Sequence, residues 1–78
     1  MPTVLRIDGY RFFFFSDDHL PVHIHIEKGN SYARIEIATL KVTNKYQISS
    51  KELSKLVKLV GENQQLLKGA WDEYFSQS

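Results

Sequence analysis

The sequence predicts one α+β domain, in which an antiparallel β-sheet is packed on one face by a C-terminal amphipathic helix. Three observations support this fold class. Apolar and polar residues alternate from Thr3 to Ile37, with turn signals between the runs. A helix-capping motif follows at Ser49, and apolar residues then recur at three- and four-residue steps. A chain of 78 residues has room for one core, so we expect a single domain over 1–78.

The first element is a hairpin around Asp8-Gly9. This dipeptide between two apolar runs is typical of a type I′ turn, which needs positive φ at both central residues. The pattern predicts strands over 3–7 and 10–15. The segment 16–21 is rich in turn-forming residues and ends in proline, so we expect a connecting loop there.

A second hairpin follows, with strands over 22–28 and 31–37. Its Gly29-Asn30 turn fits type II′, with glycine at the first central position. A two-residue turn pairs His25 with Arg34 and His23 with Glu36. This register places apolar side chains together on one face and polar side chains together on the other.

The remainder of the chain forms one ambiguous segment and a helical region. Residues 38–48 are either a linker or a short edge strand, so the sheet has four strands or five. Ser49-Ser50-Lys51-Glu52 has the form of a capping box and predicts a helix over about 50–75. Gly61 lies near its middle, and the sequence leaves open one long helix or two.

Composition excludes several classes of protein. Cysteine is absent, so there is no disulfide framework and no thiolate metal site. A net charge of +1 gives no general attraction to nucleic acid. The N-terminal region lacks a signal-peptide pattern and no apolar stretch approaches membrane-spanning length. We therefore expect a cytoplasmic protein with no membrane segment.

The two faces of the predicted sheet differ in character. One face is apolar and should pack against the helix as the core. The other face mixes aromatic, basic, acidic and imidazole groups, and we expect it to be open. Such a surface indicates either a protein partner or a homo-oligomer. The alternative is that its phenylalanines lie under residues 40–46. The residues of this predicted binding face are Arg11, Phe13, Phe15, His23, His25, Glu27, Arg34 and Glu36.

The string His23-Ile24-His25-Ile26-Glu27 is the most chemically suggestive motif. Alternate residues of a strand point to the same side, so both imidazoles and the carboxylate share one face. Two histidines and one carboxylate can bind a divalent metal such as zinc or manganese. The same string also fits half-buried histidines with a purely structural role. A fourth ligand could come from His19 or Glu36.

The same face could support catalysis. His23 or His25 could move a proton while Arg34 holds a phosphate, as in a small nuclease. Single-stranded nucleic acid could instead stack on Phe13 and Phe15, although few basic residues lie beside them.

The chain also resembles the domain-of-unknown-function 4160 family of small bacterial proteins. The resemblance is carried by residues 9–16, by Pro21-Val22-His23-Ile24-His25-Ile26, by residues 50–53, and by Glu62-Asn63 with Trp71. It implies a stand-alone bacterial cytosolic domain of the kind encoded in toxin-antitoxin-like settings. We therefore expect an antitoxin-like binding or regulatory protein that acts through protein–protein contact or self-association rather than as an enzyme. The alternative is a toxin-like nuclease that depends on metal or histidine.

Overall fold

The computed structural model describes residues 3–75, which form a five-stranded antiparallel sheet followed by two helices. This confirms the α+β class and the five-stranded alternative. Neighbouring strands in the chain are neighbours in the sheet, in the order β1 to β5. The elements are β1 (Thr3–Ile7), β2 (Tyr10–Phe13), β3 (His23–Lys28), β4 (Ser31–Glu36), β5 (Val42–Tyr46), α1 (Ser50–Glu62) and α2 (Gln64–Phe75).

Both hairpin turns follow the sequence expectation. Asp8 and Gly9 have φ values of 52° and 83°, the two positive angles that a type I′ turn requires. Gly29 has a φ of 58°, as the first central residue of a type II′ turn does. Across β3 and β4, His25 pairs with Arg34 and His23 with Glu36, so the predicted register is confirmed.

Two irregularities in the ladders were not predicted. In β1 the register shifts between Thr3 and Leu5, and the intervening Val4 packs against the core instead of lying on the opposite face. In the pairing of β4 with β5 the register shifts beside Arg34, where Thr43 is the extra residue. An extra residue locally redirects a strand's side chains. Thr43 thereby contacts Arg34, as described below.

The helical region begins at Ser50, as predicted. The Ser49 side chain accepts a hydrogen bond from the Glu52 amide at 3.1 Å, which is half of a capping box. The Glu52 carboxylate also has a partner outside the helix. It accepts a hydrogen bond at 2.5 Å from the hydroxyl of Tyr10, and so ties the start of α1 to β2.

The helix divides at Asn63, so the two-helix alternative is the observed one. The amide of Asn63 donates to the Val60 carbonyl at 3.1 Å, and its side chain donates to the Leu59 carbonyl at 2.8 Å. These bonds satisfy carbonyl groups at the end of α1. Gly61 lies inside α1, and a Cβ atom there would stand 3.3 Å from Leu40. The break is therefore two residues beyond the glycine.

No helix in residues 3–75 is long and apolar enough to cross a membrane.

Both helices contribute to a core on one face of the sheet. The buried core residues come from β2, β3, β4, the segments that follow them, and one stripe of each helix. They are Tyr10, Phe12, Phe14, Ile24, Ile26, Ala33, Ile35, Ile37, Leu56, Val60, Leu67 and Trp71.

Candidate metal centre

The loop between β2 and β3 brings a carboxylate to the histidine face. The Asp18 amide donates to the Phe15 carbonyl at 3.1 Å. In return, the Phe15 amide donates to Oδ2 of Asp18 at 2.9 Å. These reciprocal bonds form a tight turn that fixes the Asp18 side chain.

Asp18, His23 and His25 form one compact cluster. Nε2 of His25 lies 3.0 Å from both carboxylate oxygens of Asp18. Nε2 of His23 lies 3.1 Å from Oδ1 of the same carboxylate. One ligand atom from each residue lies within 4.8 Å of the others. Two imidazole nitrogens and one carboxylate therefore converge on one small volume.

The far side of each imidazole contacts an oxygen. Nδ1 of His23 lies 2.7 Å from the carbonyl oxygen of Pro21, and a carbonyl can only accept. The His23 Nδ1 atom therefore carries a proton. Nδ1 of His25 lies 2.8 Å from the Tyr32 hydroxyl, which can donate or accept. Oxygen partners of this kind orient histidines that bind metals through their other nitrogen.

Burial sets the protonation of the cluster. His25 is only 3 % exposed, and this burial lowers the pKa of its imidazole despite the nearby Asp18 carboxylate. Burial alone would raise the pKa of Asp18. The contacts of its carboxylate with His25, the Phe15 amide and His23 outweigh that effect, so the pKa of Asp18 is lowered. A neutral His25 and an ionised Asp18 are the forms that bind metal ions.

Aromatic rings enclose the cluster. Phe13 stacks on His25 with ring centroids 5.4 Å apart, and Phe15 meets His25 edge-on at 4.6 Å. The ring centroids of Trp71 and His23 are 5.3 Å apart. The expectation of an open face is wrong for Phe13, His23 and His25, which are all buried. The reason is local, since the β2–β3 loop places Asp18 against both imidazoles and Phe15 against His25.

A pocket of about 400 Å³ opens beside the cluster. Asp18 and His23 form part of its wall, whereas His25 lies outside the lining. Across from them, Arg34 donates through Nε to the Thr43 hydroxyl at 2.8 Å. The lining residues are Asp17, Asp18, His19, Leu20, Pro21, His23, Arg34, Glu36 and Thr43.

The structure brings together two of the three predicted metal ligands. Glu27 lies outside the cluster, because its carboxylate accepts from the Arg11 guanidinium at 2.9 and 3.2 Å. That guanidinium also lies 4.1 Å from the centre of the Phe13 ring. The two suggested fourth ligands, His19 and Glu36, line the pocket without joining the cluster. Glu36 accepts instead from the Thr39 hydroxyl at 2.9 Å.

Sequence reasoning missed Asp18. It treated the Asp17-Asp18 pair as turn-forming residues only. The available signal was position, because the loop joins β2 to the start of the histidine strand and must pass near His23. Alternation along a strand cannot reveal a ligand in a loop, nor choose between Asp17 and Asp18.

Comparisons with known proteins identify a family without an assigned activity. No curated protein and no solved structure matches the chain. A family model described as "Domain of unknown function (DUF4160)" matches residues 9–72. The matched region contains the β2–β3 loop, His23, His25 and Arg34. The chain therefore belongs to the DUF4160 family, and its candidate metal centre lies inside the region that defines the family match.

Proposed function

We propose that the protein binds a divalent metal ion, zinc or manganese, through Asp18, His23 and His25. The observation that carries the proposal is the convergence of two Nε2 atoms on one carboxylate, at 3.0 and 3.1 Å. Separations of about 3 Å suit adjacent ligands of one ion, given metal–ligand distances of about 2.0–2.2 Å.

The protonation of His23 supports a cation at this position. Its Nδ1 proton points to the Pro21 carbonyl, so a neutral ring presents an unprotonated Nε2 to Asp18. A nitrogen lone pair and a carboxylate oxygen at 3.1 Å repel each other. Either a second proton on His23 or a bound metal relieves this repulsion. The second imidazole aimed at the same carboxylate favours the metal.

The location of the cluster supports a role in hydrolysis. Catalytic zinc sites use three protein ligands and keep a further position open for water or substrate. Here the three candidate ligands border a pocket through Asp18 and His23. An ion in such a place could lower the pKa of bound water and supply a nucleophile near neutral pH. This arrangement agrees better with metal-dependent hydrolysis than with a purely structural metal.

Calorimetric titration of metal-stripped protein with zinc and manganese tests the proposal. We expect one binding event per chain. His25→Gln should weaken binding at least about tenfold, because it removes a buried ligand. His19→Gln is the matched control and should bind like the wild type, since His19 lies outside the cluster. Circular dichroism should show that both variants are folded.

Two results would contradict the proposal. One is the absence of binding for both metals by wild-type protein. The other is unchanged affinity in a folded His25→Gln variant.

The antitoxin-like binding role stays a prediction, with one structural feature in its favour. Leu20 is 76 % exposed on the pocket rim, and Phe15 at the other end of the same loop is 36 % exposed. A second copy of the chain that covers these side chains would bury apolar surface. Sedimentation equilibrium should then show a dimer that Leu20→Ser weakens and that Leu66→Ser, on α2, does not. A wild-type monomer at high micromolar concentration would contradict self-association.

A further inference from the structure

Arg34 is a half-buried cation with a fixed stem and uncommitted terminal nitrogens. Its Nε atom donates to Thr43, and the Thr43 hydroxyl also lies 3.3 Å from the Arg34 carbonyl. Thr43 is the extra residue of β5, and the resulting register shift places it beside Arg34. Within residues 3–75, no carboxylate lies within ion-pair distance of the Arg34 guanidinium. Its two Nη groups therefore remain available to a ligand.

The strand register places this guanidinium beside the candidate metal centre. Arg34 pairs directly with His25 across β3 and β4, so their Cβ atoms are about 5 Å apart on one face. Arg34 and His23 are diagonal neighbours in the same ladder, and both line the pocket. A ligand in this pocket can contact a metal ion on one side and Arg34 on the other.

The charges of the pocket make anion binding depend on the metal. The carboxylates of Asp17, Asp18 and Glu36 line the pocket, against the single guanidinium of Arg34. A lining in which carboxylates outnumber cations repels anions. A divalent ion at Asp18 offsets that excess and makes the pocket receptive to a negative group.

We infer that the pocket takes a terminal phosphate group, bound between the metal ion and the Nη groups of Arg34. This inference rests on the proposed metal site. A guanidinium binds two oxygens of one anion in a fork, and a terminal phosphate keeps a third oxygen for the metal. A carboxylate has only two oxygens and a phosphodiester only two terminal ones. The substrate class is therefore a phosphomonoester or free phosphate.

Titration of the zinc-loaded protein with phenyl phosphate tests the inference. Phenyl phosphate should bind, while diphenyl phosphate and benzoate should bind at least about tenfold more weakly because they lack the third terminal oxygen. Inorganic phosphate separates the two sources of the group. Binding tighter than that of phenyl phosphate identifies free phosphate as the ligand, and weaker binding identifies an ester. Metal-free protein should bind none of them.

Variants of Arg34 test its part in the site. Arg34→Met should retain zinc affinity and lose about ten- to a hundredfold in phenyl phosphate affinity, the usual scale for hydrogen bonds to a charged group. Arg34→Lys should recover part of the loss, because it restores the charge and not the fork. Arg6→Met is the matched control, since Arg6 is exposed in β1, and it should bind phenyl phosphate like the wild type.

The outcomes distinguish this inference from the metal site itself. Binding of neither zinc nor manganese removes both the metal site and the phosphate inference. Zinc binding without phenyl phosphate binding removes only the phosphate inference. The inference is also overturned if a folded Arg34→Met variant binds phenyl phosphate like the wild type, or if benzoate or diphenyl phosphate binds as tightly.

Discussion

The hydroxyl oxygen of Tyr32 lies 2.8 Å from Nδ1 of His25, on the side of the imidazole away from Asp18. Tyr32 comes from β4 and His25 from β3, so the hairpin itself aligns the two groups. Burial raises the pKa of Tyr32 above its ordinary value, so its hydroxyl is protonated at physiological pH as that of an ordinary tyrosine is. The pair therefore fixes the orientation of a candidate ligand from behind.

Removing this hydroxyl should weaken metal binding. We expect Tyr32→Phe to lower zinc affinity about ten- to a hundredfold, the range found for groups that orient metal ligands. Tyr46→Phe is the control, because Tyr46 is 62 % exposed and lies outside the cluster. Calorimetry on the two variants measures the difference. Equal affinities would show that Tyr32 does not orient His25 for a metal.

The tautomer of His23 is a second prediction. Its hydrogen bond to the Pro21 carbonyl at 2.7 Å requires a proton on Nδ1. Nitrogen-15 NMR should therefore show a protonated Nδ1 with and without zinc, while the Nε2 resonance shifts on zinc addition. A His23 ring protonated only at Nε2 would contradict this assignment.

The contact between Tyr10 and Glu52 predicts a pH window of stability. The hydrogen bond to Glu52, followed by burial and the charge of Glu52, raises the pKa of Tyr10 from 10.0 to about 12. The same bond lowers the pKa of Glu52 from 4.5. A raised tyrosine pKa stabilises the fold below pH 10.0, and this stabilisation is lost as pH rises towards 12. A lowered carboxyl pKa stabilises it above pH 4.5, and this is lost on acidification.

Tyr10→Phe tests that window because it removes only the hydroxyl. The variant should have a lower free energy of unfolding than the wild type at pH 7. The difference should shrink as pH falls below 4.5, because protonation of Glu52 removes the charge that strengthens the bond. Urea denaturation at several pH values measures it. A pH-independent difference would assign the effect to packing alone.

The cap of α1 gives a prediction of stability that is separate from the site. The Ser49 side chain accepts a hydrogen bond from the Glu52 amide at 3.1 Å. Ser49→Ala should therefore lower the free energy of unfolding by about 1 kcal/mol. Ser54→Ala is the control, since Ser54 is exposed inside the helix and alanine favours helix there. Urea denaturation at pH 7 compares the variants. Zinc affinity should be unchanged in both.

The hairpins could be predicted because their turns and their side-chain alternation give the same answer. Gly29 sets the turn, and the turn sets the pairing of His25 with Arg34. Alternation has a period of two, so a shift by one residue would have buried every polar group on the core side. The capping serine was predicted for a similar reason, because a cap is a local motif with a fixed spacing.

The departures involve residues outside that regular pattern. The extra residues at Val4 and Thr43 change the facing of a strand without any turn or proline to mark them. Asp18 reaches the imidazoles through a loop whose path depends on packing. Glu27 alternates with His23 and His25 along β3, but its carboxylate binds Arg11 on the neighbouring strand instead of joining the cluster. Sequence therefore located the face and two candidate ligands, and the fold supplied the third candidate.

The loop that carries Asp18 also carries four other residues that line the pocket, Asp17, His19, Leu20 and Pro21. The Pro21 carbonyl additionally holds His23. Because one short stretch of backbone supplies both a candidate ligand and part of the entrance, withdrawal of Asp18 would displace the entrance as well. Any movement of Asp18 in the candidate centre is thus linked mechanically to the shape presented to an incoming molecule.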